Sequence, residues 1–271
     1  MSATNIISFP TDDALAMAAA AAWLDAIAAA QAAGRGFSVA LSGGRVMRKF
    51  LTAAAALAAQ RPMDFKAVHF FWADERCVPP DDPESNFRLA NEALLQPAAV
   101  PNENVHRLRG ELAPAIAAQV ASAELRQVCA AANAELPVLD LVLLGMGEDG
   151  HVASLFPGNV ATEADVTSVF LPVFDAPKPP PNRISLGHGP LAAARTVWVL
   201  ASGPGKQDAL QRSLATAGIT RAASLSSTET TGWKPVVHDR QDACPPATTP
   251  LARAIQRRAA TTIFTDIALR A

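Results

Sequence analysis

The chain has 271 residues, with 23 Lys and Arg against 25 Asp and Glu and a formal net charge of −2. Its 50% hydrophobic content is inflated by alanine, so a mean hydropathy of +0.16 is not membrane character. The near-neutral charge also argues against nucleic-acid binding as its main work. Cys77, Cys129 and Cys244 are odd in number and form no C-x-x-C pair. This excludes a disulfide framework or a zinc ribbon and points to a reducing compartment. The longest apolar run, Ala14 to Leu24, is too short to span a bilayer, and no Lys or Arg precedes Arg35 to begin a secretory signal. The expectation is a soluble, cytoplasmic chain with no membrane or nucleic-acid partner.

In chain order, Asp12 to Ala33 is an alanine-rich helix with Thr11 or Asp12 as N-cap and Gly34 as its stop. Phe37 to Leu41 is a short apolar strand closed by Ser42-Gly43-Gly44, and Val46 to Ala59 is helical. Ala67 to Trp72 is the next strand, followed by an acidic, proline-containing loop from Asp74 to Pro83. Asn86 to Leu95 and Glu111 to Ala132 read as helices, with a short strand from Asn104 to Leu108 between them. Val138 to Leu144, apolar on both faces, suits a central strand of a parallel sheet. Further strands are expected at Thr167 to Phe174, Arg183 to Leu186 and Thr196 to Ala201, with a helix starting near Gly205.

This alternation predicts an α/β fold: an open, doubly wound, mostly parallel sheet with helices on both faces. Its site should lie at the carboxyl ends of the strands. Ser224 to Pro250, rich in Ser, Thr and Pro and without periodicity, reads as a mobile insertion in a single domain spanning 1–271. Thr261 to Ala268 resumes an apolar character and closes the fold.

Several strand ends carry polar motifs. In Leu41-Ser-Gly-Gly-Arg45 two glycines let a turn aim successive N–H groups at an anion before a helix; the plain alternative is a glycine turn. It is no P-loop, because the Lys-Ser/Thr ending is absent. Gly145-Met-Gly147-Glu-Asp-Gly150 matches G-x-G-x-x-G, and Asp175 stands at a tolerable distance for a ribose carboxylate. A dinucleotide fingerprint needs a long helix after the third glycine, however, and Pro157-Gly158 arrives almost at once. His151 follows immediately instead. Asp74, Glu75 and Arg76 read alone as a solvated loop, and Lys206 alone as the start of a surface helix. Arg183 is more telling, because it opens an apolar strand. His69 reads as a satisfied core histidine. His106, His188 and His238 have no partner at metal-ligand spacing, so neither a metal nor a cofactor is expected.

In this order, Leu41-Ser-Gly-Gly44, Trp72-Ala-Asp-Glu-Arg76 with Ser85-Asn86-Phe87, Leu144 to Gly158, Pro179-Pro-Pro-Asn-Arg-Ile184 and Gly205-Lys206 resemble the 6-phosphogluconolactonases. That family supplies the second enzyme of the oxidative pentose phosphate pathway. The likeness covers most of residues 10 to 217 and is most specific from Gly145 to Gly158. It implies a fold shared with glucosamine-6-phosphate deaminases and a phosphorylated sugar lactone as substrate, with the protein a monomer or small homo-oligomer.

By the same resemblance, Ser42, Gly43, Gly44, Arg183 and Lys206 form a phosphate cradle. His151 is the general base that takes a proton from the attacking water, a task suited to an imidazole. Asp149 orients that ring or a substrate hydroxyl. Arg76 stabilises the oxyanion or holds sugar hydroxyls, and Asp74 and Asn86 join the sugar site. The family usually continues Ser/Thr-Pro after Gly44, where this chain has Arg45-Val46-Met47; Arg45 compensates for the lost hydroxyl.

Two rivals share the resemblance. The deaminases carry Asn-Glu-Pro after the histidine, and their glutamate assists ring opening; here Leu155-Phe156-Pro157 puts phenylalanine in its place. A non-catalytic sugar-phosphate sensor would keep the cradle without needing His151, and would normally be joined to a DNA-binding domain.

Overall fold

A threonine cap and an alanine face build the first long helix. The computed structural model describes residues 3–61, 63–131, 134–159, 167–219, 248–257 and 260–269. The expected insertion lies outside these residues up to position 247, as do His238 and Cys244. After strand β1 (Ala3–Ser8), helix α1 (Asp12–Ala32) starts at Thr11, whose Oγ1 accepts the Ala14 amide at 3.1 Å. Gly34, at φ +69°, ends it in a conformation that L side chains rarely adopt.

Leu15, Ala16, Ala19, Ala20, Trp23, Leu24 and Ile27 recur at helical spacing and are all buried. The whole helix is long and apolar enough to cross a membrane, which the shorter run inside it did not suggest. In this fold that apolar face packs into the core. Trp23 stands 5.7 Å from the ring of Phe50, 6.2 Å from Phe65 and 6.2 Å from Phe70. This cluster joins α1 to α2 (Arg45–Ala59) and to β3 (Val68–Trp72).

Six strands form one all-parallel sheet in the order β1-β9-β8-β5-β2-β3, where β2 is Phe37–Leu41, β5 Leu141–Gly145, β8 Thr196–Ala201 and β9 Ala260–Thr265. The closing strand does not sit at an edge: β9 inserts between β1 and β8. The ends of β2, β3, β5 and β8 therefore open onto one rim.

A second, antiparallel sheet departs from expectation. The acidic loop after Trp72 begins with a strand, β4 (Asp74–Arg76), paired with β7 (Arg183–Leu186), which in turn pairs with β6 (Phe170–Val173). Three charged residues show no apolar alternation, and their partner lies over a hundred positions away, so no local pattern marks them.

Other boundaries shift for local reasons. Helix α3 (Asn86–Ala90) runs on as a π-helical turn, Asn91–Leu95. Helix α4 is Pro114–Val128, starting where proline fits the first helical turn rather than at Glu111. Of the expected strand from Asn104 to Leu108, Val105 makes a single bridge to Phe70. Helices α5 (His188–Ala193) and α7 (Pro250–Gln256) were not anticipated, whereas α6 (Gln207–Thr216) follows Lys206 as expected. Thr249 and Pro250, assigned from sequence to the insertion, are instead the N-cap and first residue of α7; the Leu251 amide donates to the Gly150 carbonyl at 3.3 Å. Cys77 and Cys129 are free thiols.

Candidate active site

The rim holds a cleft of about 310 Å³. Its lining includes Ser42, Gly43, Gly44, Arg45, Asp74, Arg76, Asn86, His151, Arg183 and Lys206, so ten of the eleven side chains and glycines singled out from sequence meet there. The eleventh, Asp149, reaches the cleft through His151.

At the end of β2 the chain must turn sharply into α2. Gly44, at φ +103°, serves as N-cap and supplies no side-chain oxygen, so the first amides of α2 are left for an anion. Ser42 is buried and its hydroxyl donates to the Leu143 carbonyl at 2.9 Å, tying β2 to β5. What this residue offers the cleft is backbone. A Cβ at Gly43 would collide with the Asn86 side chain, so glycine is what lets Asn86 close against the turn. Asn86 Nδ2 donates to the Asp74 carbonyl at 2.9 Å, and Asp74 Oδ2 accepts the Ser154 hydroxyl at 2.8 Å.

The loop after β5 places the histidine. His151 Nδ1 lies 2.6 Å from Asp149 Oδ1, and the His151 amide donates to that oxygen at 3.1 Å. The carboxylate thereby sets the ring's orientation and leaves Nε2 as the nitrogen for the cleft. Partial burial raises the Asp149 carboxyl, but the charge and hydrogen bonds of His151 outweigh it and hold that carboxyl below its ordinary value. The imidazole lies over Gly147, where any Cβ would strike both His151 and Asp149. The Phe156 ring stands 4.6 Å from the imidazole, centroid to centroid.

Cations dominate the rest. Arg183 is buried and two of its guanidinium nitrogens bind backbone: Nε donates to the Pro180 carbonyl at 3.1 Å, and Nη2 to those of Lys178 at 2.9 Å and Pro179 at 3.3 Å. Burial lowers its basicity, opposed by the nearby Asp74 carboxylate. Burial also lowers that of Lys206, reinforced by Arg45 and opposed by Glu148. Arg76 Nη1 donates to the Glu84 carbonyl, while its Nε is buried without a hydrogen-bond partner.

Lys178 lines the same cleft and escaped the sequence reading, and Glu148, beside Asp149 in the glycine motif, lines it too. The only signal for Lys178 was its place one residue before the Pro179-Pro-Pro run. Glu75 and Ser154, both buried beneath the cleft, were missed as well. His69 and His106 do not line it. They hydrogen-bond each other at 2.9 Å, and His106 also meets Glu124 at 2.8 Å.

The uncapped start of α2, a set of cations and an imidazole oriented by Asp149 thus stand together at the rim of the parallel sheet. A family model described as glucosamine-6-phosphate isomerases/6-phosphogluconolactonase matches residues 10–232. The 6-phosphogluconolactonase of Mycobacterium tuberculosis is 38% identical over 214 residues, covering 76% of this chain and 84% of the relative. That of Streptomyces coelicolor is 38% identical over 219 residues, covering 79% and 84%. The solved 6-phosphogluconolactonase from Leishmania guyanensis has a TM-score of 0.69 at 27% identity, covering 97% of this chain and 96% of that one. A monomeric glucosamine-6-phosphate deaminase, at 15% identity and TM-score 0.68 over 96% of each chain, shares the fold alone. The chain belongs to the 6-phosphogluconolactonase family.

Proposed function

We propose that this cleft hydrolyses 6-phospho-D-glucono-1,5-lactone to 6-phospho-D-gluconate with His151 as general base. The observation that carries the reading is the Asp149–His151 pair, held at 2.6 Å on the rim that also bears the uncapped start of α2. The phosphate dianion sits on the amides after Gly44, with Lys206, Arg45 and Lys178 supplying charge. Water attacks the lactone carbonyl carbon while His151 Nε2 takes one of its protons. Arg76 offsets the charge gathering on the carbonyl oxygen. The bond from that carbon to the ring oxygen then breaks, and the imidazolium returns the proton to the departing oxygen. The products are a hydroxyl and a carboxylic acid, which ionises.

Glucosamine-6-phosphate deamination is disfavoured by Phe156, which has no proton to exchange at the position of the deaminases' acid. The same reading makes the chain a single cytoplasmic domain acting on a small molecule, as a monomer or small homo-oligomer without nucleic-acid or membrane partners. Its near-neutral charge and the packing of α1 in the core support that assignment. The test is acid release from freshly made lactone, timed against spontaneous hydrolysis. Catalysed release is expected with the phosphorylated lactone and little with gluconolactone; equal kcat/KM for the two would overturn the cradle.

A further inference from the structure

The buried carboxylate of Glu75 has no place in the mechanism above, yet it holds two groups that do. Glu75 lies on β4 between two cleft residues and is 2% exposed. Its Oε1 accepts the amide of Asn86 at 2.7 Å and that of Arg76 at 2.8 Å. Its Oε2 accepts the amide of Phe87 at 2.8 Å and the hydroxyl of Ser85 at 3.0 Å. Four donors converge on one side chain, and two of them belong to residues lining the cleft. Ser85 is itself the N-cap of α3, accepting the Arg88 amide at 3.1 Å. The carboxylate therefore clamps the start of α3 onto β4.

The consequences reach the cleft by short routes. Asn86, fixed through its amide, places its side chain on Asp74 and against Gly43. Arg76, fixed through its own amide, is held on the other side by the Glu84 carbonyl. We propose that Glu75 is a positioning residue for lactone hydrolysis: it touches no substrate, but its four hydrogen bonds set where Arg76 and Asn86 stand. The inference rests on the lactonase reading of the cleft. It predicts an asymmetry, because the charge of the phosphate cradle, on Lys206 and the first amides of α2, makes no hydrogen bond with Glu75, which reaches that turn only through the contact of Asn86 with Gly43. Loss of Glu75 should disturb the reacting end of the substrate and spare the phosphate end.

Glutamine is the sharpest substitution. It keeps the size of the side chain but turns two acceptor sites into an NH₂ group that must face N–H or O–H donors. Kinetics of Glu75→Gln, with spontaneous hydrolysis subtracted, are to be set beside inorganic phosphate as a competitive inhibitor. The expected result is a kcat lower by about 10–100-fold, the scale of a small misplacement of reacting groups, with the phosphate Ki within about twofold of the parent. Should Glu75→Gln fail to fold, Ser85→Ala removes one donor and leaves the carboxylate; it should lower kcat by a few-fold with the same unchanged Ki. An unchanged kcat in the folded variant, or equal losses in kcat and phosphate binding, would overturn the proposal. His151→Ala in the same series separates the two readings. An inactive His151→Ala beside a fully active Glu75→Gln sinks only the role of Glu75, whereas an active His151→Ala sinks the lactonase mechanism.

Discussion

The guanidinium of Arg183 donates to the backbone carbonyl of Lys178 at 2.9 Å, and the Lys178 side chain lines the cleft. Arg183 lines the cleft itself and also holds the chain that carries Lys178. With Nε and Nη2 committed to three successive carbonyls, it presents the segment 178–180, and its ring contact is to Phe156, 5.7 Å from Cζ to centroid. Among the described residues neither Lys178 nor Lys206 forms an ion pair, so both charges are available to an anionic ligand.

The first prediction concerns that pair of lysines. Lys178→Ala should raise KM for the phosphorylated lactone by about 10-fold or more, the worth of one charge-assisted contact, with kcat nearly unchanged. The unphosphorylated lactone should be turned over as before. Steady-state kinetics with both lactones check this, and a parallel loss for both would show that Lys178 reads something other than phosphate.

Gly147 should tolerate nothing larger. A Cβ there meets the His151 ring and the Asp149 carboxylate, so Gly147→Ala must push the pair apart. The expected outcome is a folded protein whose kcat falls by about 10²-fold, because a displaced base costs on that scale. Circular dichroism and kcat together check it; normal turnover would show that the pair adapts.

Glu75 also carries a pH signature in stability. Burial pushes its carboxyl from an ordinary 4.5 up to about 6, against the opposing pull of the Asn86, Phe87 and Arg76 amides and the Ser85 hydroxyl. A raised folded value means that the native state binds this proton more tightly than the unfolded chain. Its contribution is therefore full below about 4.5 and is lost as the pH rises through about 6, amounting to ~2 kcal/mol. Denaturant unfolding of the parent and of Glu75→Gln between pH 4 and 7 should show their difference changing by that amount in that direction. A pH-independent difference would contradict the assignment.

Much of this was legible because strands and motifs coincide. Phe37–Leu41 and Thr196–Ala201 are strands over the very residues their apolar runs marked, and the polar residues following the strands reach one rim because parallel strands end together. What stayed hidden depends on long-range pairing. The register Arg76↔Arg183 aligns β4 with a strand far along the chain, and β1 is a strand only because β9 lies beside it. Within the site, glycines and charges could be read as types. The use of Ser42 for Leu143, of Arg183 for backbone carbonyls and of Glu75 for four donors is a matter of direction, which spacing does not encode.

The measurement that bears most directly on the account is the turnover of His151→Ala, with spontaneous lactone hydrolysis subtracted. If Nε2 of the Asp149-oriented ring takes the proton from water, kcat should fall by about 10²–10⁴-fold, the span for a lost general base. Binding of 6-phosphogluconate should stay close to that of the parent, since the cradle is untouched. A variant that binds the product and keeps most of its kcat would contradict the assignment and move the base to Glu148 or Asp149.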